Sequence, residues 1–289
     1  MFLIVGADSE VGRTVIDAFR SDCVPVKGTT RRSGVADSGR VLLDLGDIPA
    51  EWSPPEETSA VCIAAAVARL ADCEADPVGS ARINCTGTIA LAERLVRRGI
   101  YTLFLSTNQV FDGAVPHVAA DAELSPASEY GRQKARTEMA LRRMMSDGAP
   151  VGILRLSKVV PPDMKLFADW RGSLKAGRQV RAFEDMTLAP VPIALVARAI
   201  AVMMHERIAR VVQLTGPRDI TYLDAAGFVA GMVGVGTGLV EPGRAADIGL
   251  PPGATPKHTT LDSGFLREAN GIIVPDAYDV VGDVIGAMG

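Results

Sequence analysis

The chain has 289 residues, of which 48% are apolar and 22% charged. These values suit a folded α/β protein close to the upper size for a single core, and they exclude extensive disorder, collagen and coiled coil. Lys and Arg number 30 against 34 Asp and Glu, a net charge of −4, and aromatic residues make up 5%, so neither a nucleic-acid duplex nor a stacked single strand is expected as a partner.

The first elements alternate between short β-rich runs and helical patterns. Phe2 to Val5 reads as a strand and Gly12 to Arg20 as a helix. Val24 to Gly28 and Val41 to Asp44 read as strands, and Ala60 to Ala66 is a nearly continuous apolar run. Val78 to Arg98 reads as one helix, Tyr101 to Ser106 as a strand, Ser128 to Met145 as a helix and Val151 to Leu156 as a strand. Apolar strands separated by helices predict an α/β fold, a doubly wound parallel sheet covered on both faces. After Val160 the Pro161-Pro162 pair breaks the pattern, and the stretch to Met186 reads as irregular. Pro190 to Arg207 and Tyr222 to Val233 read as helices flanking a strand at Arg210 to Leu214, and Gly236 to Lys257 as loop. The expected division is a main unit over 1–160, to which elements near 190–215 return, and a smaller interleaved lobe over 161–289, with a fixed cleft between.

The start Met1 to Gly6 has no basic leader, and the longest apolar run, Val191 to Met204, is interrupted by Arg198 and too short to cross a bilayer. A cytoplasmic protein without a membrane partner is expected. Cys23, Cys62, Cys73 and Cys85 form no CxxC pair and read as reduced thiols in or near the core. His117, His205 and His258 share no metal-ligand spacing, so no metal is expected. Asp121, Glu123, Arg142 and Arg143 read as solvated, and His205 as a surface or capping residue.

Gly6-Ala7-Asp8-Ser9-Glu10-Val11-Gly12 follows the first strand and opens the first helix. Glycine serves a tight turn there, and lets a pyrophosphate approach the amides of the helix N-terminus. Ser9 stands at the middle glycine position, where it offers an N–H and a hydroxyl but crowds the site. The second strand ends in Thr30-Arg31-Arg32 with no acid for a ribose diol. Two arginines suit a 2′-phosphate, so NADP is favoured over NAD. Asp44-Leu45 follows the third strand, where the carboxylate can accept from an adenine amine or simply form a turn. Ala64-Ala65-Ala66 ends the fourth strand and leaves room for a cofactor against the backbone, or for tight helix–sheet packing.

Ser106-Thr107-Asn108-Gln109-Val110-Phe111-Asp112-Gly113 precedes Tyr130-Gly131-Arg132-Gln133-Lys134. Tyr130 and Lys134 are four apart, so they share one helix face. A phenol near pKa 10 carries protons poorly at neutral pH, and a neighbouring ammonium lowers that value. Thr107 can hydrogen-bond the same substrate oxygen.

These segments resemble the extended short-chain dehydrogenase/reductases and, more narrowly, the dTDP-4-dehydrorhamnose reductase family of sugar-nucleotide-binding proteins. Ser106 to Gly113 matches that family's "STDYVFDG" except at Asn108 and Gln109. Tyr130 to Glu138 matches "YGxxKxxxE". Ala64 to Asp72, with Glu74, Pro77, Ala81, Asn84 and Gly87, echoes a further motif. Ile153 to Val160 resembles the sixth strand, and Thr260-Leu261-Asp262, Gly271-Ile272 and Pro275 resemble the C-terminal end. The likeness implies a Rossmann-type dinucleotide unit over 1–160 and a substrate-binding lobe over 161–289. It implies reduction of the keto group of a nucleotide-linked sugar by NADPH, with Tyr130, Lys134 and Thr107 as catalytic residues. Gly6, Ser9, Glu10, Val11, Gly12, Thr30, Arg31, Arg32, Asp44, Leu45, Ala64, Ala65, Ala66, Tyr130 and Lys134 would bind the cofactor. Thr107, Asn108, Gln109 and Lys158 would face the sugar. Relatives are often dimers, so a homodimer fits the resemblance.

The family carries Asp-Tyr where this chain has Asn108-Gln109, and Trp where it has Lys158. Related dehydratases use an Asp-Glu pair at the former position; carboxamides cannot relay that proton, so dehydration is disfavoured. Two other readings stay open: a non-catalytic dinucleotide-binding regulatory subunit, and an epimerase that reoxidises its own product.

Overall fold

The computed structural model describes residues 1–35, 39–250, 253 and 255–287. Seven parallel strands form the central sheet: β1 (Phe2–Val5), β2 (Val26–Thr30), β3 (Arg40–Leu42), β4 (Ala60–Ile63), β5 (Tyr101–Thr107), β6 (Val151–Leu156) and, after four short strands, β11 (Val211–Leu214). Their spatial order is β11-β6-β5-β4-β1-β2-β3. The order reverses between β1 and β4, and a crevice opens there at the carboxyl ends of the strands, the usual ligand position in such sheets. Every residue of β1, β4, β5 and β6 is buried, because helices cover both faces.

On one face lie α1 (Glu10–Ser21) and α7 (Ile193–Glu206), which pack on each other. Phe2, Ile4, Val15, Phe19, Val196 and Ile200 belong to the core there. On the other face α4 (Thr88–Val96) and α5 (Glu129–Ser146) cover Val61, Ile63, Phe104 and Ile153 through Leu91, Leu95 and Leu141. The helix expected over 78–98 is composite. It follows α2 (Leu70–Ala75) and runs as α3 (Pro77–Ala81), a π-helical turn (Arg82–Gly87) and then α4. The π turn has a steric cause, since a Cβ on Gly87 would lie 1.7 Å from the Leu45 carbonyl oxygen. Only a residue without a side chain lets the helix descend onto that loop.

A second apolar core lies beyond Val160. It gathers α6 (Lys165–Lys175), α8 (Tyr222–Met232) and α10 (Ala277–Ala287) around Phe167, Trp170, Val229, Val281 and Val284. Short pairings link its segments. β7 (Val159–Val160) pairs with β10 (Val191–Pro192), β8 (Val180–Phe183) with β13 (Val240–Gly243), and β9 (Thr187–Leu188) with β12 (Ile220–Thr221). The region up to Met186 is therefore not irregular as expected. The two prolines end β7, but α6 starts three residues later, with Phe167, Trp170 and Leu174 buried at helical spacing. The expected loop over 236–257 likewise contains β13, while residues 251, 252 and 254 fall outside the described part. The fourth strand stops at Ile63, so Ala64 to Ala66 are linker rather than strand.

Two smaller expectations change as well. Cys23 is exposed, at a φ of +57°, whereas Cys62, Cys73 and Cys85 are buried and free. Arg142 is half-buried, and its Nη2 donates to the Ala120 carbonyl at 3.1 Å. Among the described residues no helix is long and apolar enough to cross a membrane. No group of three or more His, Cys, Asp or Glu residues there could hold a metal ion.

Candidate active site

The turn after β1 is made by Gly6, at a φ of +91°. A Cβ there would sit 2.7 Å from the Ala65 amide nitrogen. Both the backbone conformation and the close approach of the β4 linker demand glycine. Gly12 is needed for packing: a Cβ would stand 2.3 Å from the Gly6 carbonyl oxygen. Gly12 is buried, so it closes the turn rather than lining the crevice.

Ser9 does not crowd the site; it caps α1. Its Oγ accepts from the Gly12 amide at 3.0 Å and donates to the Gly6 carbonyl at 2.8 Å. Its own N–H also donates to Gly6, at 3.0 Å, so the groups expected to face a phosphate are turned inward. The helix amides left without a partner among the described residues are those of Glu10 and Val11. They lie at the positive end of α1, where an anion is favoured.

A cavity of about 480 Å³ runs from this turn across the ends of β2 and β4. Gly6, Ser9, Thr30, Arg31, Arg32, Asp44, Leu45, Ala65 and Ala66 line it. Arg31 and Arg32 are exposed. Asp44 uses one carboxylate oxygen to accept from the Gly46 amide at 2.8 Å, so the turn-forming role is realised and the other oxygen remains for a ligand. Ala64 sits outside the lining and donates its N–H to Val5 at 2.9 Å. The sequence reading missed four polar contributors to this wall, Asp8, Thr29, Arg69 and Asp72. Asp8 accepts from the Thr30 hydroxyl at 2.8 Å and pairs with Arg40. The cavity has the size of a small-ligand site, and its donors and shape fit a dinucleotide.

The second cluster lies at the end of β5. Thr107 is buried and caps a short 3₁₀ turn, Asn108–Val110, accepting from the Gln109 amide at 3.2 Å. Ser128 caps α5 and donates to the Gln109 side-chain oxygen at 3.4 Å. A Cβ on Gly131 would lie 2.1 Å from the Gln109 carbonyl oxygen. That contact brings the first turn of α5, and Tyr130 with it, down beside the Thr107 turn.

Lys134 is 3% exposed, and its Nζ donates to the Leu105 carbonyl at 2.8 Å. The ammonium stands 4.4 Å above the Phe104 ring and 5.8 Å from the Tyr130 ring centre. Among the described residues the Tyr130 hydroxyl has no hydrogen-bond partner. Burial pushes the Tyr130 phenol up and pushes Lys134 down to about 8. The expected lowering of the phenol by its neighbour is thus absent in the free protein: desolvation dominates both groups. Lys158 is exposed on the β6–β7 connection, and its carbonyl accepts from Val191 at 2.8 Å. Surrounding protein lowers its pKa, and Glu10 works against that shift.

The chain thus combines a glycine-turned crevice at the sheet reversal with a Tyr–Lys pair in the first turns of α5 and a Thr at the end of β5. Residues 1–288 match the family described as RmlD substrate binding domain. The chain belongs to that family. Proteins similar to it include the "Probable low-salt glycan biosynthesis reductase Agl14" of Haloferax volcanii, 27% identical over 96% of this chain and 91% of that protein. A dTDP-4-keto-6-deoxy-D-glucose reductase of Streptomyces niveus is 25% identical over 93% of this chain and 90% of its own length. The structure of dTDP-4-dehydrorhamnose reductase from Bacillus anthracis, in complex with NADP, superposes with a TM-score of 0.78 at 16% identity, covering 99% and 96% of the two chains. The RmlD-type chain described here has the α/β architecture of that structure.

Proposed function

We propose that this protein is an NADP-dependent reductase of the keto group of a nucleotide-linked sugar. The observation that carries the reading is the Gly131 contact with the Gln109 carbonyl. It brings the first turn of α5, which carries Tyr130 with Lys134 four residues on, down onto the turn that Thr107 caps. The RmlD family membership and the reductase relatives support the same chemistry.

The amides of Glu10 and Val11 would hold the pyrophosphate, and Arg31 and Arg32 would meet the 2′-phosphate. Ala65 and Ala66 would let the cofactor lie against the backbone. Bound there, the cofactor would supply the hydride for the carbonyl carbon. Tyr130 gives its Oη proton to the carbonyl oxygen, so that one C–H and one O–H bond form as the C=O double bond is lost. Its raised pKa keeps that proton in place until the oxygen takes negative charge. Thr107 orients the same oxygen. Lys134 holds the nicotinamide ribose and stabilises the phenolate left behind. Asn108 and Gln109, with Lys158 from the β6–β7 connection, face the sugar, which enters from the 161–289 lobe. Neither carboxamide can serve as an acid or base, so water is not eliminated. We place the enzyme in the cytoplasm, on the strength of its family.

The test is NADPH oxidation with a panel of nucleotide-linked keto-sugars. Tyr130→Phe is expected to lower turnover about 10²- to 10⁴-fold while NADPH affinity persists. A variant retaining most of its rate overturns the assignment of Tyr130. A wild-type protein that binds NADPH yet oxidises it with no keto-sugar supports the regulatory-subunit reading instead.

A further inference from the structure

Strand β2 ends without an acidic residue, but the tertiary structure brings one to its tip. Asp8 projects from the β1–α1 turn, and its Oδ2 accepts from the Thr30 hydroxyl at 2.8 Å. Its Oδ1 is paired with Arg40, the first residue of edge strand β3. Arg13 fixes the turn from behind, with Nη1 donating to the Asp8 carbonyl at 2.7 Å. The carboxylate is 29% exposed and lines the same cavity wall as Thr30, Arg31 and Arg32.

We propose that Asp8 is a specificity-determining residue that reads the 2′ position of the adenosine ribose, with Arg40 as its counterweight. The proposal rests on the dinucleotide reading of the cavity and adds a discriminating residue to it. A free ribose 2′-hydroxyl can donate to a carboxylate, a charge-assisted bond. A 2′-phosphate brings two acceptor-only charges towards the same oxygens and is repelled. Arg40 cancels part of that repulsion by occupying Oδ1, and Arg31 and Arg32 attract the phosphate from the exposed side. The wall therefore carries opposed elements, and the ratio of NADPH to NADH affinity reflects their balance. The Thr30 hydrogen bond and the Arg40 guanidinium hold the Asp8 carboxyl below its ordinary range, so the opposing charge is present at neutral pH.

The experiment measures dissociation constants of NADPH and NADH for the full chain without sugar, by calorimetry and by energy transfer to the bound nicotinamide. Asp8→Asn keeps an acceptor for Thr30 and nearly the same volume but removes the charge. It is expected to shift the affinity ratio towards NADPH about tenfold. Arg40→Gln, on a different strand, is expected to shift the ratio towards NADH, and it carries the test alone if Asp8→Asn does not fold. Folded variants that both keep the wild-type ratio overturn the role of Asp8 while leaving the dinucleotide site standing. A wild-type protein that binds neither dinucleotide overturns the underlying reading and this one with it.

Discussion

With its Nζ between the Leu105 carbonyl and the face of Phe104, Lys134 has given up most of its hydration, and its pKa falls to about 8. Glu138, one turn further along α5, opposes this shift but does not cancel it. The sign of the consequence follows. Below that pH the ammonium is charged in both folded and unfolded chains, and the fold bears the full cost of burying it. As pH rises from about 8 towards the unfolded value of 10.5 the cost is relieved. In the mechanism proposed above activity runs the other way, because Tyr130 would need the cation beside it while burial keeps its own proton in place throughout this range. The apparent second-order rate constant, kcat/KM, is therefore expected to fall as pH rises through about 8, along a single-proton limb. Lys134→Met should lower the rate and erase the limb. A profile that stays level well above that pH would contradict the role given to Lys134.

The position of Tyr130 is decided at the level of elements, by how α5 begins. Ser128 accepts from the Gly131 amide at 3.1 Å to cap the helix, and Gly131 lies against the 3₁₀ turn that follows β5. Gly131→Ala would place a methyl group 2.1 Å from a backbone oxygen, an atom that can yield only if the turn or the helix moves. Destabilisation of about 1–3 kcal/mol is expected, read as a lower urea midpoint. A larger fractional loss of kcat should accompany it, since Tyr130 is the adjacent residue. An unchanged midpoint and rate would mean that helix and turn are not in contact. The same element shows what periodicity conveys and what it omits. Helix α5 was readable from Ser128 to Met145, within a residue of its actual bounds. Helix α6 carried an equally good signal in Phe167, Trp170 and Leu174, but Pro161-Pro162 pointed to a break. A proline disfavours helix in the residues before it but not after it, and it is tolerated in a first turn, as Pro77 is in α3.

At the scale of the whole molecule, one buried ion pair ties the site to the C-terminal region. Arg155 on β6 and Glu138 on α5 are both fully buried, joined at 2.7 Å and 3.0 Å. Arg155 Nη1 continues to the Gln213 side chain on β11 at 2.9 Å, and Gln213 Nε2 donates to the Val118 and Asp262 carbonyls. The guanidinium also faces the Phe111 ring at 4.8 Å. Glu138→Ala would leave this cation buried without its carboxylate, at a cost of about 3–5 kcal/mol. The paired replacement Glu138→Leu with Arg155→Met should recover most of that loss. Urea unfolding of the two variants checks both statements, and a loss near zero for Glu138→Ala would show that the pair is not buried as described.

The sequence by itself determined the parallel α/β sheet, the glycine turn after β1 and the placing of Tyr130 and Lys134 one turn apart on α5. Each depends on short-range spacing: strand length, helical period, and a glycine where φ is positive. Only the tertiary structure decided that the Ser9 hydroxyl caps α1, that Asp8 meets Thr30 at the tip of β2, and that burial raises the Tyr130 phenol. Those outcomes depend on which atoms from distant segments come within 3 Å of one another and on how much water is left between them, and no local pattern of residue types encodes either quantity.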